Sequence, residues 1–180
     1  MISKNPKAKA SVIGASLAVL TALTAFSFVS HKFNEVDEKP SIAPVNLSKA
    51  KIGDGYGYRI HPSTKENKMH KGIDFILPEG EPVTATADGV VVDVVDDEYR
   101  GVYVTIRHDD VYSTSYSHVK SAVVKVRDGI KQKQLLGYVG STGKVSSAPH
   151  LHYEVLKDGK NVDPVDYLPS SVATKLPPKK

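Results

Sequence analysis

The sequence predicts a mostly β fold, an antiparallel sheet or sandwich in a single domain. Its 180 residues are 40% hydrophobic and 24% charged, a composition typical of a soluble globular domain. Between about Gly53 and Leu168, short β-branched runs alternate with turn signals that contain Gly and Asp, and no amphipathic helix is evident. Such spacing is typical of antiparallel sheets and sandwiches. The runs are Val90–Val95, Val102–Ile106, Tyr112–Tyr116 and Leu135–Val139.

The first thirty residues predict an export signal or a membrane anchor. Three lysines lie within residues 1–9, and an uncharged run follows from Ala10 to Ser30. A charge at the bilayer centre costs about 2.5–3.5 kcal/mol, so a long uncharged run after a basic start is typical of membrane targeting. Two alternatives remain open, a cleavable signal peptide and an uncleaved single-pass anchor. Either one places the rest of the chain outside the cytoplasm, in the cell envelope.

The remaining chain divides into three parts. We expect residues 31–50 to form a linker or a segment that covers a functional groove, residues 51–169 to form the working domain, and residues 170–180 to form a basic flexible tail. The net charge is +4, but the surplus lies at the two ends, and residues 51–170 carry a net charge of −2. A nucleic-acid-binding face is therefore not expected.

Two histidine clusters predict a metal site. In the H-x-G-x-D motif, His70 and Asp74 would lie on one face of an extended segment, and so would His150 and His152 of the H-x-H motif. The chain has no cysteine, so a metal site must use histidine and carboxylate. Two imidazoles and one carboxylate are typical ligands of catalytic zinc, with a fourth position for water. The residues alone leave open whether all four bind, or whether His150 or His152 stays free for the reaction.

Six stretches, in the same order along the chain, resemble the lysostaphin-type (LytM-like) zinc metallopeptidases, which cut peptide cross-links in bacterial cell walls. The resemblance covers about Gly53 to Leu168. It implies a mostly antiparallel β fold with an open groove. The matching stretches are Gly55–Pro62, His70–Asp74, Pro82-Val83 with Ala85–Val90, Tyr116–His118, Gly137–Gly143 and Ala148–Glu154.

The resemblance also implies roles for five of these residues. His70, Asp74 and His152 correspond to the Zn²⁺ ligands of the family. His118 and His150 correspond to its two catalytic histidines, which hold or activate the attacking water and stabilise the developing oxyanion. Since this set is complete, the resemblance argues against a degenerate member.

Four further residues have less specific expectations. Arg59 and Tyr116 correspond to substrate-binding positions. Arg59 would steer a substrate carboxylate, or would form a structural salt bridge instead. His61 and His108 are expected to be surface or hydrogen-bonded histidines rather than ligands.

Two segments leave details of the predicted domain open. The family usually has a glycine where Lys133 precedes Gln134, which puts the strand register near this turn in doubt. If residues 31–50 cover the groove, Asn34 or Asn46 could occupy the fourth zinc position.

The resemblance implies a zinc-dependent endopeptidase that hydrolyses peptide cross-links or stem peptides of bacterial peptidoglycan. We expect a monomer that is attached to the membrane through residues 10–30 if they are not cleaved. One alternative is a non-catalytic envelope module that binds wall peptides or activates another wall hydrolase. A second is a secreted metallopeptidase that acts on protein.

Overall fold

Strands dominate the part of the chain that the computed structural model describes, which is residues 38–60, 65–146 and 148–177. The predicted export segment, Asn34 and His61 lie outside these residues. A 3-10 helix, Pro164–Tyr167, and a one-turn helix α1, Ser170–Ala173, follow the strands. The strands are β1 (Lys51–Ile52), β2 (Gly57–Ile60), β3 (Asn67–His70), β4 (Ile73–Ile76), β5 (Pro82–Thr84), β6 (Gly89–Asp97), β7 (Gly101–Arg107), β8 (Tyr112–Ala122), β9 (Gly129–Ile130), β10 (Leu135–Val139), β11 (His150–Lys157) and β12 (Lys160–Val162).

One ten-stranded sheet organises the described residues, and its strand pairs are antiparallel. Its main path runs β1-β4-β11-β8-β7-β6-β9, with β10 pairing β5 and β8, and β12 pairing β11. Strands β2 and β3 form a separate two-stranded sheet. This topology confirms the predicted mostly antiparallel β fold.

The predicted β-branched runs lie within β6, β7, β8 and β10. The turn signal at Asp158 and Gly159 joins β11 to β12, where the two residues have φ values of 50° and 70°. Positive φ at both central residues is the geometry of a type I′ turn, which matches the twist of a β-hairpin. Strand β8 extends six residues beyond the predicted run, to Ala122.

The apolar core lies against one face of the central strands. Ile73 and Phe75 of β4 are fully buried, and so are Leu151 and Tyr153 of β11. Because side chains alternate along a strand, the intervening residues of both strands must point to the opposite face. The core therefore fixes which face of the sheet carries the polar side chains of the H-x-H motif.

A chain of buried hydrogen bonds crosses this core. His108, expected to be a surface or hydrogen-bonded histidine, is fully buried and lies 2.6 Å from the Asp88 carbonyl oxygen and 2.8 Å from Thr114 Oγ1. Thr114 in turn donates to the Tyr116 hydroxyl at 3.0 Å, and the Thr86 amide donates to the same oxygen at 3.1 Å. His108 and Tyr116 are thus structural residues of the core.

Residues 38–50 lie along the domain and do not line its groove. The Ser41 amide donates to the Thr86 carbonyl at 3.3 Å, and the Thr84 amide donates to the Pro44 carbonyl at 2.8 Å. The Asn46 side chain accepts a hydrogen bond from the Ser48 amide at 3.0 Å. These contacts contradict the expectation that Asn46 could reach the metal site.

The C-terminal segment also differs from expectation. Within the predicted flexible tail, Val172 is fully buried and Leu176 packs against the core. Lys175 Nζ donates to the Leu47 carbonyl at 3.3 Å, which ties the segment to residues 38–50. As far as residue 177, this part of the chain is packed rather than free. None of the helices in the described ranges has the length and apolar character needed to cross a bilayer.

Candidate metal centre and cleft

Three side-chain atoms converge at the middle of the sheet. The distance from His152 Nδ1 to Asp74 Oδ1 is 2.8 Å, that from His70 Nε2 to His152 Nδ1 is 3.1 Å, and that from His70 Nε2 to Asp74 Oδ1 is 3.3 Å. Tetrahedral zinc with bonds of about 2.0–2.1 Å requires ligand atoms about 3.3–3.4 Å apart. The three atoms therefore need only small movements to bind one ion, and both their types and their spacing fit a metal site.

The register of the β4–β11 pair brings the Asp74 and His152 atoms together. Asp74 and His152 lie directly opposite each other in the β4–β11 pair. His70 ends β3 in the other sheet, so His70 and Asp74 do not share one extended segment as predicted. The chain changes sheets at Gly72, where a Cβ atom would lie 2.9 Å from His152 Cε1 and would collide with the Tyr153 carbonyl oxygen. Glycine is required there because the connection passes directly against β11.

The second nitrogen of each ligand imidazole has a fixed partner. His70 Nδ1 lies 2.8 Å from the Gly55 carbonyl oxygen, and His152 Nε2 lies 3.0 Å from Glu154 Oε1. Because these oxygens accept, the facing nitrogens carry the protons, and the other nitrogens are left for a metal. Asn161 Nδ2 donates to Glu154 at 2.9 Å and holds it in place. We did not predict the role of Glu154, although its position two residues after His152 on the same strand face was a usable signal.

The electrostatics of the cluster favour an ionised carboxylate. Burial by itself would raise the pKa of Asp74, but the adjoining side chains of His152 and His70 hold it well below its usual range. Burial disfavours charged His152, yet its hydrogen bonds to Asp74 and Glu154 raise its pKa to about 9. A metal ion that binds here must displace the proton of His152, so binding releases a proton.

Two further histidines face each other beside the cluster. The ring centroids of His118 and His150 are 4.6 Å apart. His118 Nδ1 donates to the Thr142 carbonyl and His150 Nδ1 donates to the Ala148 carbonyl, both at 2.8 Å. These bonds place the lone pair of each neutral ring on Nε2. Burial lowers the pKa of His118 to about 4, so this ring is neutral at pH 7.

A β-bulge positions His118. Val102 pairs with Val119 and Val104 pairs with Tyr116, so β8 has one more residue than β7 between these pairs. His118 lies in this bulge and has a φ of 65°. This left-handed conformation costs a residue other than glycine about 1–2 kcal/mol. The bulge redirects its side chain relative to the regular alternation. The predicted β-branched run ends at Tyr116, whereas His118 lies inside β8.

A cleft of about 770 Å³ contains all five predicted metal and catalytic residues. Arg59 also lines this cleft, where its Nη1 lies 3.0 Å from Asp54 Oδ2, so it forms the salt bridge given as the alternative to a substrate contact. Tyr116 lies in the core rather than in the cleft, with a fully buried side chain, and the expectation that it contacts substrate is wrong. The residues that meet in the cleft are His70, Asp74, His118, His150 and His152.

Three atoms of the types that bind metal ions, beside two imidazoles on an open antiparallel sheet, form an arrangement typical of metal-dependent hydrolytic sites. Residues 68–164 match the family model described as Peptidase family M23. The chain belongs to this peptidase family, which confirms the resemblance drawn from its motifs.

Relatives and solved structures agree with this assignment. The peptidoglycan DD-endopeptidase ShyC of Vibrio cholerae is 42% identical over 106 residues, which cover 59% of this chain and 24% of that protein. A zinc-containing peptidase from Vibrio cholerae superposes with a TM-score of 0.65 at 37% identity, over 69% of this chain and 39% of the other. The catalytic domain of lysostaphin from Staphylococcus simulans gives a TM-score of 0.60 at 33% identity, over 67% and 93% of the two chains. The chain spans about a quarter of the length of the curated relatives it matches.

Proposed function

We propose that this chain is a zinc-dependent endopeptidase that hydrolyses peptide cross-links or stem peptides of bacterial peptidoglycan. The observation that carries the proposal is the convergence of His70, Asp74 and His152 within 3.3 Å of one another, beside His118 and His150. Membership of Peptidase family M23 supports peptide hydrolysis. The similarity to a protein named as a peptidoglycan DD-endopeptidase supports the choice of substrate.

Zinc is the proposed ion because the donor set suits it. His70 Nε2, His152 Nδ1 and Asp74 Oδ1 would hold the ion, and two imidazole nitrogens with one carboxylate oxygen leave one position of a tetrahedral site open. Bound there, zinc supplies Lewis acidity, which lowers the pKa of water and polarises a carbonyl group.

The two other histidines move the protons. As the water oxygen bonds to the peptide carbonyl carbon, Nε2 of one ring accepts the proton that the water loses, and the carbonyl π electrons move to oxygen. When the tetrahedral intermediate collapses, the C–N bond breaks and the imidazolium returns a proton to the leaving amine. The second ring stabilises the oxyanion by a hydrogen bond. The separation of 4.6 Å between the rings of His118 and His150 lets both reach one reacting centre.

We also propose that the protein works as a monomer in the cell envelope. The basic and then uncharged pattern of residues 1–30 supports export, with membrane attachment if this segment is retained. The similarity to a peptidoglycan endopeptidase supports the same location.

Digestion of two substrate classes tests the proposed function. Full-length protein loaded with zinc is incubated with purified cell walls and, separately, with casein. We expect soluble fragments from the walls and none from casein, and we expect a chelator to stop the release. Asp74→Ala should be inactive, whereas Asp110→Ala, which alters an exposed carboxylate outside the cleft, should be active.

Two outcomes contradict the proposal in different ways. Casein hydrolysis without wall digestion would indicate a peptidase that acts on protein. Wall digestion that persists with chelator and in Asp74→Ala would indicate a module that activates another hydrolase.

A further inference from the structure

Arg100 presents a fixed guanidinium group to the cleft. Its Nε donates to Ser117 Oγ at 3.2 Å, and its Nη2 donates to Ser115 Oγ at 2.6 Å and to Ser117 Oγ at 2.9 Å. The guanidinium carbon lies 4.0 Å from the centroid of the Tyr103 ring. One face and one edge of the group are therefore held, which removes much of the rotamer entropy that binding would otherwise cost.

Arg100 differs from three other cations of the cleft, Arg59, Lys68 and Lys144, in its partners. Its side-chain hydrogen bonds go to neutral hydroxyl groups, and within the described residues no carboxylate forms an ion pair with it. Its charge lowers the pKa of Glu154 and of Asp97 without an ion pair to either carboxylate. Three neighbouring cations have carboxylate partners in the pairs Arg59–Asp54, Lys68–Glu66 and Lys144–Glu98.

The position of Arg100 places its charge beside the metal centre. Ser117, which holds the guanidinium, lies opposite the metal-ligand candidate His152 in the β8–β11 pair and immediately precedes His118. Ser115 lies opposite Glu154 in the same pair. A peptide whose scissile carbonyl lies at the metal centre would therefore bring an adjacent residue close to Arg100.

We propose that Arg100 is a specificity-determining residue that binds a free carboxylate of the substrate peptide, on a residue close to the scissile bond. This inference rests on the proposed peptidase function and names the substrate group that the same site selects. The two serines engage Nε and Nη2, and no described residue accepts a hydrogen bond from Nη1, so Nη1 is the group that can donate to a substrate carboxylate oxygen. Peptidoglycan stem peptides supply such groups, since their D-glutamate and diaminopimelate residues carry carboxylates outside the peptide bonds.

Matched substrates test the inference. Two synthetic cross-linked peptides are prepared that are identical except that the side-chain or terminal carboxylates in one are carboxamides in the other. We expect the zinc-loaded full-length protein to favour the free acid. Arg100→Ala should lower kcat/KM for the free acid by about 10- to 100-fold, mainly through KM, and should lower it much less for the amide. Arg100→Lys, which keeps the charge without the planar fork, should lie between the two.

Control variants and binding data separate this role from a structural one. Lys125→Ala removes an exposed cation outside the cleft and should keep the wild-type preference. Equal loss on both substrates in Arg100→Ala, or a wild-type protein that does not distinguish acid from amide, would overturn the inference. If the wild type cleaves neither peptide, the proposed peptidase function fails. Titration calorimetry of both peptides against zinc-free wild type and Arg100→Ala then measures the carboxylate preference without turnover, and equal affinities would again reject it.

Discussion

At the scale of single residues, the four histidines that line the cleft divide into two groups by their hydrogen bonds. His70 and His152 are oriented by the Gly55 carbonyl and by Glu154, and their second nitrogens meet Asp74. His118 and His150 are oriented by main-chain carbonyls, and their Nε2 atoms are the proposed proton-transfer groups. Metal retention and turnover should therefore respond separately to mutation.

This division predicts the behaviour of three variants. Asp74→Ala and His152→Ala should lose metal and activity together, because each removes a proposed ligand atom. His118→Ala should retain zinc and lose activity by about 100-fold or more, because only a proton-transfer group is lost. Atomic absorption gives the metal content, and wall digestion gives the activity. A zinc-free His118→Ala protein would contradict the assignment.

His108 predicts a pH dependence of stability. Burial lowers its pKa, although its hydrogen bond to the Asp88 carbonyl and the nearby Asp109 and Asp88 carboxylates act in the opposite direction. The folded state thus binds a proton at His108 less readily than the unfolded state. Its contribution to the free energy of unfolding is fully present above about pH 6.5 and is lost as the pH falls through the lower folded pKa.

Denaturant unfolding of the wild type and His108→Gln between pH 7.5 and 5 measures this contribution. The stability advantage of the wild type should shrink as the pH falls, and a constant difference would contradict the prediction. Titration of the His108 ring by NMR in the wild type provides an independent measurement if the variant does not fold. A His108 pKa at or above 6.5 would also contradict it.

At the scale of elements, the alternation of apolar and polar residues predicted which face of β11 carries the site. It did not predict how His70 and His118 are brought to that face. The H-x-H pair shares a face because the intervening Leu151 and the following Tyr153 are fully buried. His70 and Asp74 come together through a change of sheets at Gly72, which an i to i+4 spacing cannot reveal. The bulge at His118 depends on pairing with β7, a non-local contact that no local pattern encodes.

The turn before β10 has a backbone conformation at Lys133 that favours glycine, the usual residue of the family at this position. Lys133 has a φ of 70°, and its amide donates to the Ala85 carbonyl at 2.8 Å. Strand β10 nevertheless pairs with β5 and β8, so the lysine strains the turn without removing either pairing.

Lys133→Gly should therefore stabilise the protein. Relief of the left-handed strain, about 1–2 kcal/mol, offsets the entropic cost of glycine, about 0.5–1 kcal/mol, so we expect a gain of up to about 1.5 kcal/mol in the free energy of unfolding. Chemical denaturation measures it. Lys133→Ala keeps the positive φ and should show no comparable gain. Equal or lower stability of the glycine variant would contradict the strain argument.

At the scale of the whole molecule, the site lies on one face of central strands whose other face packs on the core. Strands β4, β11 and β8 are neighbours in the sheet and carry Asp74, the H-x-H pair and His118. The segments on either side of the predicted domain were harder to predict, because their buried residues follow no periodic pattern. Pro40, Pro44, Val45 and Ala50 are buried on the N-terminal side, and Val172 is buried on the C-terminal side.

Mass spectrometry of the fragments released from chemically defined walls tests the central claim most directly. The zinc-loaded full-length protein should produce fragments whose masses and new termini correspond to hydrolysis of one type of peptide bond in the cross-links or stems. The same reaction with a chelator, and the reaction of Asp74→Ala, should release none. Hydrolysis that continues under chelation, or intact peptides with cleavage confined to the glycan, would contradict a zinc endopeptidase built on His70, Asp74 and His152.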